Sequence, residues 1–419
     1  MMKEGFGQRL LRLLLIFGPG IFCVGYTIGT GSVTTMIQTG STYGLRYLWV
    51  VALSCLFCGF LMEAYGRFAL VTGKTTIQAF REHFGKPVAW LVLGMVVLGQ
   101  WCCLSGLVGL SSEAIYQLLR MYFPGLESVD RYVFVLGTAA CVMLAVYILL
   151  WFGNYSRLEK ILVLLVTFLG LSFIVSNFMV PPHFSQVMKG LLPCNIQGAE
   201  LLVASLVGTT LAAPTFVVRP LLLRGKGWTK TDLKLQTRDV CFSAFLMFLV
   251  SGSIMCCATG AIYNHGGKPI EQVMDMVETL RPLAGSGAVL IFLIGLISAG
   301  LSSIFPIVMV APLLIGDYRD GELEVQTPTF RILAAFVCCI GLTVPILGAN
   351  PIFAQILTQV AQVFVLPLVI ALMMVLINRR TLMGEHRAGV VLNLGLFLAF
   401  CFSLVISYQG IQALKQIFS

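Results

Sequence analysis

Charge is what this sequence has least of. Only 11% of its 419 residues are Asp, Glu, Lys or Arg, against roughly a quarter in a water-soluble domain, which excludes a chain folded with water on all sides. Histidine is scarce as well: His83, His183, His265 and His386 are the only four, and each lies in a polar connection. No His-Glu-x-x-His, no paired aspartates within an apolar run and no nucleophile elbow occur, so enzyme chemistry has no residues to rest on. Thr72-Gly73-Lys74-Thr75-Thr76 has the look of the end of a phosphate loop, but Phe68 stands where the upstream glycine is required and no strand precedes it. Also absent is the strict apolar and polar alternation of a barrel strand, which excludes a closed membrane barrel.

What is present is hydrophobic length. Residues of apolar type make up 58% of the chain, gathered into runs of about 20 that can each cross a ~30 Å hydrocarbon core. Eleven spans are expected, near residues 10–40, 45–70, 87–117, 131–152, 159–180, 198–223, 239–263, 285–314, 329–348, 353–377 and 388–409. Lys3, Arg9 and Arg12 precede the first run in the manner of a signal peptide, yet the run continues past Gly20 without a cleavage site, so it counts as a span. Twelve of the thirteen cysteines, all but Cys194, lie inside apolar segments and read as small membrane hydrophobes. The formal charge of +9 sits in the short connections, not in a nucleic-acid face. With the N-terminus in the cytoplasm, 19 Lys and Arg fall on the inner side and 7 on the outer, the asymmetry that sets topology in a bacterial-type inner membrane.

Two spans are interrupted halfway. Span 1 carries Thr27-Ile28-Gly29-Thr30-Gly31-Ser32, and span 6, five spans later, carries Leu211-Ala212-Ala213-Pro214-Thr215. Glycine, proline and hydroxyl residues loosen a helix, and open backbone at membrane depth survives only where protein or a cavity covers it. A matched pair of breaks, each opening a five-span half, is the pattern of a LeuT-type inverted-repeat transporter. The expected fold is therefore an all-α membrane domain covering residues 1–419, with one repeat over about 10–180, the second over about 198–377, and an extra helix at about 388–409.

Short motifs in order along the chain carry a resemblance. Gly18-Pro19-Gly20 opens span 1, followed by Ile37-Gln38-Thr39-Gly40, Tyr43-Gly44 and Leu48-Trp49; Arg157-Leu158-Glu159-Lys160 opens span 5. Span 8 holds Ser298-Ala299-Gly300-Leu301-Ser302-Ser303, and span 10 has Gln359-Val360 eight residues before Pro367, then Asn378-Arg379-Arg380-Thr381-Leu382-Met383-Gly384. In these the chain resembles the Nramp (natural resistance-associated macrophage protein) family of divalent metal transporters, which implies a metal-ion carrier. The departures fall at the metal site. The family's Asp-Pro-Gly-Asn is replaced by Gly29, Thr30, Gly31 and Ser32, and its Met-Pro-His by Ala212-Ala213-Pro214 or Ala213-Pro214-Thr215. No acidic residue occurs from Lys86 to Ser112 in span 3, where the family places proton-pathway groups.

The residues left to form a site are Thr27, Gly29, Thr30, Gly31, Ser32, Ala212, Ala213, Pro214, Thr215, Gln359 and Arg219. Three readings follow from them. A divalent carrier for Mg²⁺ or Mn²⁺ would hold the ion with Thr30, Ser32, Gln359 and free carbonyls, without the family's proton coupling. A carrier of a small carboxylate or other organic solute would instead use the half-helix N-terminus near Gly31 and the intramembrane Arg219. A non-transporting receptor or scaffold is the third. No cofactor and no nucleic acid is implied; the partners are the solute or cation and the bilayer. Glu63, Glu113 and Glu200 are expected to be interfacial or structural, and Asp317, Asp320, Glu322 and Glu324 to form a solvated loop.

Overall fold

The computed structural model describes residues 18–418 apart from 124, 127–128, 153–154, 195, 197, 267–269, 271–272 and 321–326. The start of span 1, with Lys3, Arg9 and Arg12, and the acidic residues Glu322 and Glu324 lie outside the described residues. Among the described residues the regular structure is helical, with ten helices long and apolar enough to cross a bilayer and one further span made of a bent pair. The bent pair is span 1, Gly18–Thr27 and Thr30–Tyr43, turned through 56°. The others are span 2 (Leu48–Thr72), span 3 (Lys86–Tyr122), span 4 (Arg131–Phe152), span 5 (Tyr155–Met179), span 6 (Glu200–Thr210 and Ala213–Gly225) and span 7 (Leu233–Ala261). Span 8 occupies the long helix Val273–Asp320, kinked at Gly285, whose φ of 76° only glycine adopts without strain. Span 9 is Pro328–Gly341 with Thr343–Leu347, span 10 is Pro351–Gln362 with Leu366–Asn378, and span 11 is Val390–Phe418. Every expected span is found, with ends shifted mostly by a few residues.

Local chemistry explains the ends and the interruptions. Asn350 caps span 10, its Oδ1 accepting from Ile352 N at 2.9 Å. Seventeen residues later Pro367 removes an N–H from the ladder. The carbonyl of Val363, deprived of that helical donor, accepts instead from the backbone of Leu366 and from the Ser407 hydroxyl of span 11 at 3.0 Å. The extra C-terminal helix thus completes the backbone of span 10. Between spans 2 and 3 the short helix Thr76–Phe84 lies outside the membrane segments. There the Lys74 ammonium bound to Glu82 holds its carboxyl below the ordinary carboxylate range.

Burial orders the bundle. The most apolar window of span 6 is 89% buried, whereas those of spans 4, 9 and 11 are 28%, 33% and 33% buried, so span 6 runs through the middle and the other three face lipid. Span 8 packs along spans 3 and 5, span 7 along span 2 and the second half of span 1, and the first half of span 6 along spans 10 and 11. Small residues let these backbones touch, since lipid tails offer no hydrophobic drive between helices. A Cβ on Gly208 of span 6 would fall 2.0 Å from the Gln359 carbonyl oxygen of span 10. That contact sets the first half of span 6 directly against span 10.

Candidate functional site

The break in span 1 is held open by span 8. Helical bonding continues to Ile28, whose N–H reaches Val24 O at 2.8 Å, and resumes where Val33 N donates to Gly29 O at 3.0 Å. Between them Gly29 is extended, with φ −93° and ψ −174°. The carbonyls of Gly25 and Tyr26 lose their donors there. Ser303 Oγ supplies the replacement, donating to Gly25 O at 2.6 Å and lying 3.3 Å from Tyr26 O, with Ser302 Oγ 3.5 Å from Gly25 O. This is the physical sense of the Ser302-Ser303 pair in span 8, which keeps polar backbone satisfied in a dry interior. Gly29 must be glycine for the approach, because a Cβ would meet Ser303 Oγ at 2.5 Å.

Span 6 opens less. Leu211 N still bonds to Val207 O at 2.7 Å, then Ala212 is extended at φ −60°, ψ 115°, and Pro214 sits in the first turn of the next helix, where its missing N–H is harmless. The two segments are not bent as sharply as those of span 1.

A cavity of about 20 Å³ lies where the breaks face each other. Tyr26, Thr27, Gly29, Gly31 and Ser32 line it from span 1, Thr209 and Ala212 from span 6. Span 3 adds Gln100, Cys103 and Leu107, span 8 adds Ser303 and Ile307, and span 10 adds Gln359 and Gln362. None of these is a carboxylate or an imidazole. The volume suits about one water-sized occupant. Amides join the walls: Gln100 Nε2 donates to Gln362 Oε1 at 3.1 Å, Gln362 Nε2 to Gln359 Oε1 at 3.3 Å, and Gln359 Nε2 to Cys103 Sγ at 3.2 Å. The hydroxyls of Tyr26 and Ser32 are buried with no partner, which is costly unless something else binds them.

The family model described as Natural resistance-associated macrophage protein-like, or Nramp, matches residues 20–413. This chain belongs to the Nramp family. The divalent metal cation transporter MntH of Verminephrobacter eiseniae is 26% identical over 427 residues, covering 98% of this chain and 92% of the relative. MntH of Ralstonia nicotianae is 27% identical, covering 97% and 92%. Among solved structures, the Eremococcus coleocola manganese transporter in complex with an aromatic bis-isothiourea compound superposes with a TM-score of 0.74 at 14% identity, covering 99% of this chain and 89% of that one. MhsT in complex with L-phenylalanine gives 0.67 at 16% identity, covering 94% and 98%. The Nramp chain thus has the LeuT-like transporter fold expected from its paired breaks, and its relatives are transporters, not enzymes.

Of the residues singled out in the Nramp sequence, Thr27, Gly29, Gly31, Ser32, Ala212 and Gln359 line the cavity. Thr30, Ala213, Pro214 and Thr215 do not, although all are buried beside it. Thr215 Oγ1 lies 3.2 Å from Thr27 Oγ1 and forms part of the packing beneath the site.

Arg219 does not reach the cavity. Its side chain is completely buried in a different direction, with Nη2 2.5 Å from Asp239 Oδ2 and 2.8 Å from Gln236 Oε1, and Nη1 3.6 Å from Cys23 Sγ. Asp239 Oδ1 accepts from Gly20 N at 3.2 Å. This network ties the first half of span 1, the second half of span 6 and span 7 into one closed latch. Asp239 escaped the sequence reading because it falls at the edge of an apolar run. The signal was Arg219 itself, since a deep cation requires a partner.

Other expectations need correction. Asp317 is not solvated: it is 3% exposed, its carboxylate buried beside Thr75, because span 8 extends past it to Asp320. Glu63 and Glu113, by contrast, are structural as expected, pairing with Arg67 at 2.7 Å and Arg131 at 3.0 Å. Cys103, Gln100 and Gln362 are cavity residues that sequence reasoning passed over. Gln355, Gln359 and Gln362 recur at helical spacing along one face of span 10, a signal that was readable.

A second cavity, of about 490 Å³, lies between the ends of spans 3, 4, 9 and 10, bounded by Glu113, Arg131 and Pro351 among others. Being at the end of an odd-numbered span, Glu113 sits at the opposite end of the bundle from Arg219. Gln355 lies about one helical turn from Ile352 of this cavity and from Gln359 of the central one. Its Nε2 donates to Cys103 O at 2.7 Å, and Cβ atoms on Gly31 or Gly106 would meet its amide at 2.4 and 2.5 Å, so it lies flat between two glycines. Gln355→Ala is expected to join the cavities. Peptide-resolved labelling with a small cationic thiol reagent should then modify Cys103 faster than in the parent, while Gln355→Met, which keeps the bulk, leaves it protected.

Proposed function

We propose that this Nramp protein carries a divalent cation, Mn²⁺ or a Mg²⁺-like ion, across a bacterial-type inner membrane by alternating access, with its N-terminus in the cytoplasm. The observation that carries the reading is the central cavity of about 20 Å³, set between two opened helices and lined by hydroxyl and amide side chains together with Cys103, Leu107 and Ile307. A bare ion or a single water fits such a space, whereas an organic solute does not. The orphaned Tyr26 and Ser32 hydroxyls are the atoms that such an ion would engage. The carboxylate-carrier reading loses its cation, because Arg219 is neutralised by Asp239 away from the cavity. The curated relatives, named divalent metal cation transporters, favour the same conclusion.

Chemistry limits the affinity. A neutral oxygen shell offsets the loss of a divalent ion's hydration only in part, so a Kd on the order of 10⁻⁴–10⁻³ M, that of sites with few charged ligands, is expected. With no carboxylate or imidazole on the wall, transport runs without a titrating side chain of those types at the site. The half-helices of spans 1 and 6 move against a scaffold of spans 3, 4, 8 and 9, and the Arg219–Asp239 latch closes the cytoplasmic end. Calorimetry on purified protein tests the reading. Saturable Mn²⁺ or Mg²⁺ binding should weaken roughly five- to thirtyfold in Ser32→Ala and Gln359→Ala, the effect of removing about 1–2 kcal/mol of ligand interaction. Binding of an organic acid that vanishes in Arg219→Ala would overturn it. So would metal binding without flux in liposomes, which points to a receptor.

A further inference from the structure

A groove of about 420 Å³ lies between the beginning of span 2, the first half of span 6 and span 11, within the ~300–1,000 Å³ of sites that hold small molecules. Val203, Phe402, Val405 and Ile406 make it apolar, and no charged side chain lines it. Val405 is 56% exposed, so the groove is open toward lipid. Tyr47 is pinned in the wall by the chain before span 6, its hydroxyl donating to Ile196 O at 3.3 Å and accepting from Ile196 N at 3.0 Å. Two other wall residues carry polar atoms with nothing to bond. Trp49 Nε1, a donor, and Gln409 Oε1, an acceptor, are both buried without a partner, and nothing in the protein offsets that cost. Beside the groove, Arg46 is exposed, and its carbonyl accepts from Cys194 Sγ of the wall at 3.0 Å. The Arg46 guanidinium has no ion pair among the described residues.

We propose that this groove binds one phospholipid whose headgroup carries a hydrogen-bond donor, of the phosphatidylglycerol type, in the outer leaflet for a chain with its N-terminus in the cytoplasm. Place and chemistry both select the occupant. Span 2 begins and span 11 ends on the same side of the bundle, where the bilayer itself supplies lipid to any open apolar groove. The sequence of groups matches a lipid from head to tail: an unpaired cation beside the mouth for phosphate, a donor and an acceptor for the polar headgroup, and an apolar wall for an acyl chain. A hydroxyl is the simplest group that serves both stranded atoms, since it accepts from Trp49 Nε1 and donates to Gln409 Oε1. Neither atom meets water as the groove stands, so each side chain turns to reach the occupant. The site bears on the moving parts through Val203, which stands about two turns before Thr209 of the central cavity. A lipid held there braces the first half of span 6 against span 11, whatever solute is carried.

The test uses the full-length protein in detergent, with phosphatidylglycerol or phosphatidylcholine of equal chain length added in mixed micelles and native mass spectrometry as the readout. Phosphatidylcholine has no donor in its headgroup and is the reference. One phosphatidylglycerol is expected to stay bound after looser lipids are stripped, with an apparent affinity about fivefold or more above the reference, the effect of one hydrogen bond. Gln409→Leu and Trp49→Phe should each remove most of that preference. In lipid-free detergent Gln409→Leu should leave the unfolding midpoint unchanged or raise it, because a stranded acceptor is gone. Arg46→Gln should weaken retention of either lipid, whose phosphates are alike, and Val405→Trp, which fills the groove from an exposed position, should abolish it. Equal retention of the two lipids, unmoved by Gln409→Leu and Trp49→Phe, would mean unspecific boundary lipid and overturn the proposal. So would a dimer that forms as lipid is stripped and is lost in Val405→Trp, since a second copy of the chain would then be the occupant.

Discussion

Arg219→Met is expected to destabilise the folded protein by about 3–5 kcal/mol, the loss incurred when one member of a buried ion pair is removed and the other is stranded. Both side chains are at 0% exposure. Without the guanidinium, Asp239 keeps only the Gly20 N–H as a polar partner from the described hydrogen bonds. Its charge would then sit in an interior with no compensating cation. The double variant Arg219→Met, Asp239→Leu should recover most of the loss, because a well-packed apolar pair replaces a dehydrated ionic one at little net cost. Unfolding midpoints of the purified variants in detergent measure both. The pair also acts as a latch, so the single variant should free the first half of span 1. Gly20 packs so closely that its Cβ would meet Asp239 Oδ1 at 2.5 Å, which makes this helix end the first to leave. Protease or thiol-reagent access at Cys23 would report that opening. Unchanged stability and access in Arg219→Met would show that the ion pair holds nothing.

Gly208→Ala is expected to abolish cation binding and to lower stability by about 1–3 kcal/mol, the cost of forcing a methyl group into a well-packed core. The added Cβ would lie 2.0 Å from the Gln359 carbonyl oxygen, and backbone cannot swing aside as a side-chain tip can. Span 10 must move away from span 6, and Gln359 and Gln362 move with it. Gly94→Ala is the matched control, since nothing lies within 4 Å of its Cβ position in span 3, and there alanine should be neutral or favourable by up to about 1 kcal/mol. Calorimetry with Mn²⁺ and an unfolding curve on each variant decide the matter. Equal behaviour of the two would mean that the contact between spans 6 and 10 does not position the amides.

Much of this architecture is written in one dimension. A span is a length of apolar chain, and a break is a place where glycine, proline and hydroxyls outnumber good helix formers; both are properties of neighbours in sequence. Eleven spans, the interruption at Ile28-Gly29 and the one at Leu211-Ala212 could therefore be read before any fold was known. The Ser298 to Ser303 motif and Gln359 were readable as features, although their tasks were not. Ser303 repairs carbonyls of Gly25 and Tyr26 that lie more than 270 residues away in the chain.

What the linear chain determined about this protein is its solvent, its number of crossings and the two points where helices open. Which face of each helix turns inward was decided only by tertiary packing. In water an amphipathic stripe announces the buried side, but here lipid is as apolar as the interior, so Cys102 and Cys103 look alike in sequence while one meets lipid and the other lines the cavity. Partnership was decided in the same way: Arg219 reads as a free intramembrane charge until folding places Asp239 against it. Pairing energies act across space, and only the folded bundle sets those distances.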